Sequence, residues 1–317
     1  MEDSPLVIAI SASALFDTSE GDKIFQEKGV ENYRFYQQEH KTDILPRGVA
    51  YPFIERILSL NSALGEQDLI KVVLFSRNSP EAGLRVMNSI RAYSLNISTA
   101  LFTSGEYNFQ YLTSVGASLF LSANRDHVKT AIDAGFAAGV VLPTIIPDSD
   151  AEPELRLAFD FDGVIADDDS EIFYNSTQDL AKYHKHEAEL AGSPLSRGPI
   201  GEFLQKISRI QQLERSKKAK DSNYQQIIKT AIVTARNAPA HERVITTLND
   251  LGITVDSAFF IGGMKKSLFL NVMKPHMFFD DQMKNLADLK HVPAVHIPFG
   301  IKNIDCDMSI EQSNESI

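Results

Sequence analysis

Two aspartates that follow a short apolar segment are the residues of this sequence best suited to chemistry. Asp160 directly follows residues 155–159, and Asp162 comes two residues later, just before Gly163. Open α/β sheets bind ligands at the carboxyl ends of their strands. There the first carboxylate can attack phosphorus, and the second can protonate the leaving oxygen and later activate water. Gly163 lets the backbone bend close to a phosphate. An acidic turn without chemistry is the alternative interpretation.

Three later positions offer what phosphoryl transfer to a carboxylate requires, which is neutralisation of the phosphate charge. Thr234 closes an apolar run and offers a hydroxyl group and a backbone N–H to a phosphate oxygen. Lys265 follows a β-type run and a Gly-Gly-Met turn, and we expect its ammonium to pair with phosphate and nucleophile together. The neighbouring Lys266 is the competing candidate. Asp280 and Asp281 follow a further apolar run and complete the set.

The acids at these strand ends predict a bound cation. Asp160, Asp162, Asp280 and Asp281 offer the hard oxygen ligands that Mg²⁺ takes in proteins. Carboxylates packed together without a cation would raise one another's pKa values, so a metal is the economical interpretation. The alternative for Asp280 and Asp281 is a helix N-cap pair. The sequence leaves open which of those two binds the metal directly.

The elements that must position these residues form a repeat. Short continuous apolar runs alternate with helical patterns, which is typical of parallel sheets covered by helices. The two halves match in the same order at residues 6–10 and 155–159, 47–48 and 197–198, 72–80 and 231–239, 100–105 and 258–263, and 140–143 and 295–298. We therefore predict an α/β fold with tandem duplicated, doubly wound, Rossmann-like parallel sheets. Chance similarity of short β-α patterns is the alternative.

The repeat also predicts that the first half has lost its chemistry. The replacements are Ser11 and Ser13 for Asp160 and Asp162, Phe75 for Thr234, Tyr107 for Lys265, and Ser122-Ala123 for Asp280-Asp281. Ser11 has no matching histidine base, so serine chemistry is not supported. Arg77 and Asn78 match Arg236 and Asn237, and we expect them to cap the next helix. A regulatory nucleotide site in the first half is the less favoured alternative.

Composition limits the classes of function. The 317 residues carry a formal net charge of −11, which disfavours a broad interface with a nucleic-acid polymer. The single cysteine, Cys306, excludes an internal disulfide and a site with several thiolate ligands. We find no run near the roughly 20 apolar residues of a membrane span, and the first residues lack the basic segment of a secretory signal. We expect a cytoplasmic protein without a membrane partner, and a homo-oligomer stays open.

The order Asp-x-Asp, Thr, Lys, Asp-Asp resembles the four-motif pattern of the haloacid dehalogenase (HAD) superfamily. The second aspartate favours phosphate chemistry over carbon–halogen cleavage. Over about residues 6–300 the chain resembles the cytosolic 5′-nucleotidase I family. The segments that carry this resemblance are residues 13–16 (SALF), 29–31 (GVE), 36–40 (YQQEH), 84–86 (LRV), 88–90 (NSI), 119–123 (LFLSA), 155–160 (LRLAFD), 233–236 (VTAR) and 275–282 (PHMFFDDQ).

The resemblance assigns a role to each motif residue. Asp160 would be the nucleophile and Asp162 the acid and base, while Thr234 and Lys265 would hold phosphate. Asp280 or Asp281 would complete the metal site. The remaining substrate contacts that we expect are Gly163, Ala235, Arg236 and Asn237. One departure from the animal pattern is Phe161, where a glycine is usual. This leaves the chemistry intact and puts the fit of the substrate beside Asp160 in question.

The resemblance also implies how the chain divides. Residues 1–148 would form a degenerate, non-catalytic HAD-like half, and residues 149–302 a catalytic HAD-like half. Superfamily members insert a cap that excludes water from the site, and here the mainly helical residues 168–228 would form it. Aromatic residues in this cap could stack on a base or belong to the core: Phe173, Tyr174, Tyr183, His184 and His186. Residues 303–317 would be a loosely ordered polar tail.

The sequence therefore predicts a Mg²⁺-dependent 5′-nucleotidase. It would hydrolyse nucleoside 5′-monophosphates, AMP among them, through an aspartyl-phosphate on Asp160. Two alternatives stay open: a HAD phosphatase for another small phosphorylated metabolite, and a nucleotide sensor without catalysis. The sequence does not rank bases or sugars.

Overall fold

The computed structural model describes residues 4–105, 109–145 and 152–303. The chain divides into two compact units, Met1–Pro143 and Thr144–Ile317. The sequence placed the division between residues 148 and 149. Residues 146–151 around this boundary and the tail after Asn303 lie outside the described residues, as do Tyr107 and Cys306.

The first unit contains a parallel sheet of five strands in the order β3-β2-β1-β4-β5. These strands are β1 (Leu6–Ile10), β2 (Ile70–Ser76), β3 (Thr99–Phe102), β4 (Leu119–Ser122) and β5 (Ala138–Val141). The helices between them are α1 (Ala12–Leu15), α2 (Ser19–Glu39), α3 (Tyr51–Leu64), α4 (Pro80–Ala92), α5 (Gln110–Ser114) and α6 (Arg125–Asp133). Helix α2 bends at Gly29, whose φ of 79° only glycine adopts readily.

The second unit repeats this order as β8-β7-β6-β9-β10, again parallel. Its strands are β6 (Leu155–Phe159), β7 (Ile228–Thr234), β8 (Ser257–Phe260), β9 (Met277–Asp280) and β10 (Ala294–His296). Its helices are α7 (Asp169–Thr177), α8 (Leu180–Glu189), α9 (Gly201–Lys220), α10 (His241–Asp250), α11 (Lys266–Met273) and α12 (Met283–Leu286). Three of them, α7 to α9, occupy the segment that the sequence predicted to be a helical cap.

These observations confirm the α/β fold class with doubly wound parallel sheets. The first strand of each unit lies at the centre of its sheet and is fully or almost fully buried. Continuous apolar sequence in β1 and β6 follows from burial on both faces. The paired Arg-Gly motifs have a common structural cause as well. The N–H of Gly48 donates to Leu15 and that of Gly198 to Ile165, and a Cβ at either glycine would clash with backbone.

Strand register corrects one part of the predicted repeat. Leu6 pairs with Ile70 in the first unit, and Leu155 pairs with Ile228 in the second. Strands β2 and β7 therefore match from their first residues, which places Ser76, and not Phe75, at the position of Thr234. Arg77 and Asn78 accordingly match Ala235 and Arg236. The sequence comparison had paired the identical dipeptides Arg77-Asn78 and Arg236-Asn237, which is one residue away from the register of the strands. The duplication itself stays a prediction.

In the described residues no helix is both long and apolar enough to span a bilayer.

Candidate active site

Asp160 lies where β6 ends, between the ends of its neighbours β7 and β9. Its backbone N–H donates to the carbonyl of Phe279, which continues the β6–β9 ladder by one residue. Its Oδ1 accepts a hydrogen bond from the N–H of Phe161 at 2.7 Å. The side chain is almost completely buried, with 4% of the residue exposed. A rigid central strand therefore presents a carboxylate at the edge of the sheet where ligands of this fold bind.

The structure corrects the predicted cation from Lys265 to Lys266. Lys266 Nζ lies 2.6 Å from Asp160 Oδ2 and 2.7 Å from Asp280 Oδ2. Lys265 points away, pairs with Asp288 at 3.2 Å, and keeps 75% of its side chain exposed. Lys265 is the N-cap of α11, and Lys266 is the first helical residue. Successive residues at a helix start point in different directions, so only one of the two adjacent lysines can reach the acids.

Asp280 and Asp281 stand at the end of β9 and have different surroundings. Asp280 is completely buried, and its Oδ1 accepts hydrogen bonds from the Gln282 N–H at 2.8 Å and from Asn285 Nδ2 at 3.1 Å. Neither carboxylate oxygen of Asp281 has a hydrogen-bond partner among the described residues, although the residue is only 1% exposed. A buried carboxylate with no donor is costly unless a charge compensates for it.

Three of the four predicted metal ligands come together. Asp160, Asp280 and Asp281 each offer an oxygen, and these atoms lie within 4.8 Å of one another. Burial, opposed by Lys266 and assisted by Asp280, raises the pKa of Asp160 to about 7. Burial and the charges of Asp160 and Asp280 raise the pKa of Asp281 to about 10. Without a cation, these raised pKa values favour protonated carboxyl groups, and a bound metal ion would let them ionise. The unpartnered oxygens of Asp281 make this group of acids a candidate metal site.

The side chain of Asp162, the fourth predicted ligand, is bound to an arginine instead. Arg236 donates from Nε to Asp162 Oδ2 at 2.8 Å and from Nη2 to Oδ1 at 2.6 Å. This is the bidentate geometry that guanidinium groups form with carboxylates. The structure therefore places the Asp162 side chain outside the group of three acids. Arg236, predicted as a substrate contact, is 4% exposed and holds Asp162.

A buried network behind Arg236 was not predicted from the sequence. Glu187 of α8 accepts a hydrogen bond from Arg236 Nη1 through Oε2. Its Oε1 accepts bonds from Arg243 of α10 at 3.0 Å and from the Ser170 hydroxyl at 2.9 Å. Glu187 is completely buried. A glutamate on the polar, charged sequence of α8 resembles a solvated residue, so no local signal marks it.

The other predicted substrate contacts surround this centre in different ways. Thr234 ends β7 almost completely buried, and its Oγ1 accepts a bond from the N–H of Arg236 at 3.2 Å. Gly163 has φ of 71°, and a Cβ there would lie 2.9 Å from Asp281 Oδ2. Ala235 is exposed. Asn237 Oδ1 lies 3.1 Å from His184 Nε2, so the loop after β7 contacts the helical segment.

The aromatic residues of the helical segment contact one another. Phe173 stacks on His186 with ring centroids 3.8 Å apart and planes 7° apart. Tyr174 meets Tyr183 edge-on at 5.8 Å. Of the five, His184 reaches the loop after β7. A role for any of them in stacking on a base stays a prediction.

Comparison with known proteins agrees with this geometry. The model of the 5′-nucleotidase family matches residues 1–304. The chain is 32% identical over 296 residues to the human protein Cytosolic 5′-nucleotidase 1B. This match covers 92% of the chain and 48% of the human protein, so the chain spans about half the length of that relative. Three acids meet a buried lysine at the ends of two neighbouring strands, β6 and β9. The family match runs from residue 1 to residue 304, and this chain belongs to the 5′-nucleotidase family.

Proposed function

We propose that this protein is a Mg²⁺-dependent phosphoric monoester hydrolase that releases phosphate from nucleoside 5′-monophosphates through an aspartyl-phosphate. The observation that carries the proposal is a buried group in which Asp160, Asp280 and Asp281 stand at neighbouring strand ends and Lys266, the first residue of α11, pairs with two of them. A carboxylate beside one fixed cation and two further acids suits attack on a phosphate dianion once a metal balances the charge. Membership of the 5′-nucleotidase family supports the same reaction class.

In the first step a carboxylate oxygen of Asp160 attacks phosphorus, and the bond from phosphorus to the 5′ oxygen breaks. Asp162 gives its proton to that leaving oxygen, so the nucleoside departs neutral. In the second step water attacks the phosphorus of the aspartyl-phosphate and Asp162 takes its proton. The bond between phosphorus and Asp160 then breaks, which frees phosphate and restores both aspartates. Thr234 offers its hydroxyl and backbone N–H to a phosphate oxygen during both steps.

Lys266 and Arg236 hold these two aspartates in position. Lys266 holds one oxygen of Asp160 in place and offers positive charge beside the transferring group. Arg236 holds both oxygens of Asp162. Because the guanidinium occupies both oxygens, Arg236 must release one of them, and that oxygen must take up a proton from water, before Asp162 can act as the acid. We therefore assign Arg236 to positioning of the acid and base.

The acids that would hold Mg²⁺ are Asp160, Asp280 and Asp281. Bound there, the ion would neutralise charge on the phosphoryl group. The unpartnered, buried oxygens of Asp281 support this assignment, because a carboxylate in that state gains most from a cation.

The name of the human relative supports the substrate class and the compartment. That protein is named a cytosolic 5′-nucleotidase. We accordingly propose a nucleoside 5′-monophosphate as the substrate of this chain and the cytoplasm as its location. A homo-oligomer stays a prediction.

The decisive measurement is phosphate release from a panel of nucleoside 5′-monophosphates with Mg²⁺ and with EDTA. Asp160→Asn removes the nucleophile and should lower the rate at least about 10³-fold. The matched control is Asp288→Asn, because Asp288 is exposed and pairs with Lys265 outside the site. EDTA should abolish wild-type turnover.

Three results would contradict the proposal. One is hydrolysis of sugar phosphates in preference to every mononucleotide. Another is full turnover by Asp160→Asn, and the third is full turnover in EDTA.

A further inference from the structure

We propose that the first unit holds a second, non-hydrolytic binding site for a nucleoside phosphate. A cavity of about 670 Å³ opens within this unit at the carboxyl ends of its central strands. Small-molecule sites commonly have volumes of about 300–1,000 Å³. Its walls come from the loops after β1, β2 and β4 and from helix α2. The cavity lies at the strand ends that match those of the candidate active site.

One end of the cavity suits a phosphate. Arg77 lines it, and its guanidinium is held by a bond from Nε to the Gly105 carbonyl at 2.6 Å and by a contact of 3.1 Å with His127 Nε2. Helices α4 and α6 begin here, with Ser79 and Asn124 as N-caps that line the same cavity. Helix N-termini favour anions. A cation held in position and two helix starts therefore face one space.

The structure changes the interpretation of the Arg77-Asn78 pair. The sequence favoured a helix-capping role for both residues. Ser79 is the residue that caps α4, because its Oγ accepts a hydrogen bond from the Ala82 N–H at 3.3 Å. Arg77 and Asn78 line the cavity instead. Capping therefore does not account for them, and the alternative that a ligand binds here gains support.

The other end of the cavity suits a flat ring. Phe25, Val30 and Tyr33 of α2 line it, and Phe25 and Val30 are 51% and 47% exposed. Phe25 meets Tyr33 edge-on with ring centroids 5.8 Å apart, which leaves aromatic surface for a ligand. The Tyr33 hydroxyl donates to Asn78 Oδ1 at 3.2 Å, so the aromatic wall is joined to the phosphate end. A molecule with both a planar base and an anionic group matches the two ends.

The first unit lacks the groups that would hydrolyse such a ligand. Ser11 stands where the second unit has Asp160, and each backbone N–H donates to the matching neighbour strand, to Leu121 and Phe279 respectively. Ser122 and Ala123 take the positions of the two metal-binding acids. Asp22 is the one acidic residue among the described residues that line the cavity. Its carboxylate accepts a hydrogen bond from the Thr18 hydroxyl at 2.8 Å. We therefore expect the first unit to bind a nucleoside phosphate without hydrolysing it.

The test is calorimetric titration of the full chain with AMP, adenosine and inorganic phosphate. Asp160→Asn is used throughout so that AMP survives, and EDTA removes binding that needs a metal. We expect AMP to bind more tightly than adenosine or phosphate. Arg77→Gln should weaken AMP binding about tenfold or more, as for loss of a charge-assisted hydrogen bond. Phe25→Ala should weaken it about fivefold, as for loss of a ring contact.

Each variant has a matched control on its own helix or next to its own loop. Phe35→Ala removes a 66% exposed aromatic of α2 that does not line the cavity. Arg91→Gln removes an exposed arginine from the last turn of α4. Both controls should bind AMP within about twofold of the parent. Circular dichroism checks folding, and Phe25→Ala alone decides the matter if Arg77→Gln unfolds.

Two results would overturn the proposal: no AMP binding in EDTA, or AMP binding that is unchanged by Phe25→Ala. Phosphate binding as tight as AMP binding would overturn the assignment to a nucleoside. The outcome is separate from the proposed hydrolysis, which is measured on wild-type protein with Mg²⁺. Either proposal can fail while the other holds.

Discussion

Replacing Lys266 by methionine removes the ammonium that contacts both Asp160 and Asp280. Its Nζ lies 2.6 and 2.7 Å from their Oδ2 atoms, and 5% of the side chain is exposed. Methionine keeps a similar length and removes the charge. Loss of one member of a buried ion pair costs about 3–5 kcal/mol, because the remaining charges stay buried. We expect this loss in the free energy of unfolding without Mg²⁺.

The same change should impair catalysis. A cation fixed beside the transferring group contributes through electrostatic stabilisation, and loss of one such group lowers kcat by about 10²–10³-fold. Phosphate release from AMP measures this effect, and denaturant unfolding measures the stability. Mg²⁺ should stabilise Lys266→Met more than wild type, because the ion then supplies the missing positive charge.

Lys265→Met is the matched control, one residue away. Lys265 and its partner Asp288 keep 75% and 61% of their side chains exposed, and exposed pairs contribute about 0–1 kcal/mol. We expect unchanged turnover and nearly unchanged stability. The assignment would be refuted if Lys265→Met lost activity while Lys266→Met kept it within about threefold.

Three further changes test other parts of the structure. Glu187→Gln should lower the free energy of unfolding by about 3–5 kcal/mol, since two buried arginines lose a charged partner; denaturant unfolding that matches wild type would contradict this. Gly163→Ala should cost about 1–3 kcal/mol and lower turnover, because φ is 71° and the Cβ would meet Asp281. Gly192→Ala, with open space around it, is the control that should change neither. His127→Asn should reduce the acid sensitivity of the fold. Burial, together with the charge of a nearby arginine, lowers the pKa of His127 to about 4, so the folded state resists protonation. In wild type this contribution is present above the unfolded pKa of about 6.5 and is lost as pH falls from there towards 4. Thermal unfolding between pH 7 and about pH 5 measures it, and equal losses in both proteins would contradict the reasoning.

Order along the chain was enough to predict which strand ends meet. In parallel sheets all strands that share a direction end at one edge, so Asp160, Thr234 and Asp280 had to approach one another once their strands were recognised. The choice between Lys265 and Lys266 could not be made this way. It depends on the residue at which α11 begins, and a shift of one residue turns a side chain through more than a quarter of a helical turn.

The sequence could not predict that Arg236 binds Asp162, and the reason is different. Arg236 stands in the same Val-Thr-Ala-Arg segment as Thr234, and nothing local distinguishes a phosphate contact from a carboxylate contact. Its position depends on Glu187, which is distant in sequence and buried by tertiary packing. The one-residue error in the repeat had a simpler cause. The sequence match relied on two identical Arg-Asn dipeptides, whereas the true register is set by strand pairing.

The bonds of Glu187 have a mechanical consequence. Glu187 on α8 accepts a hydrogen bond from Arg236, which also holds Asp162, and Arg243 joins the same carboxylate to α10. Movement of α8 would therefore change how firmly Arg236 holds Asp162. If the helical segment opens and closes over a substrate, as we propose for a cap, Glu187 would transmit that movement to the proposed acid, Asp162.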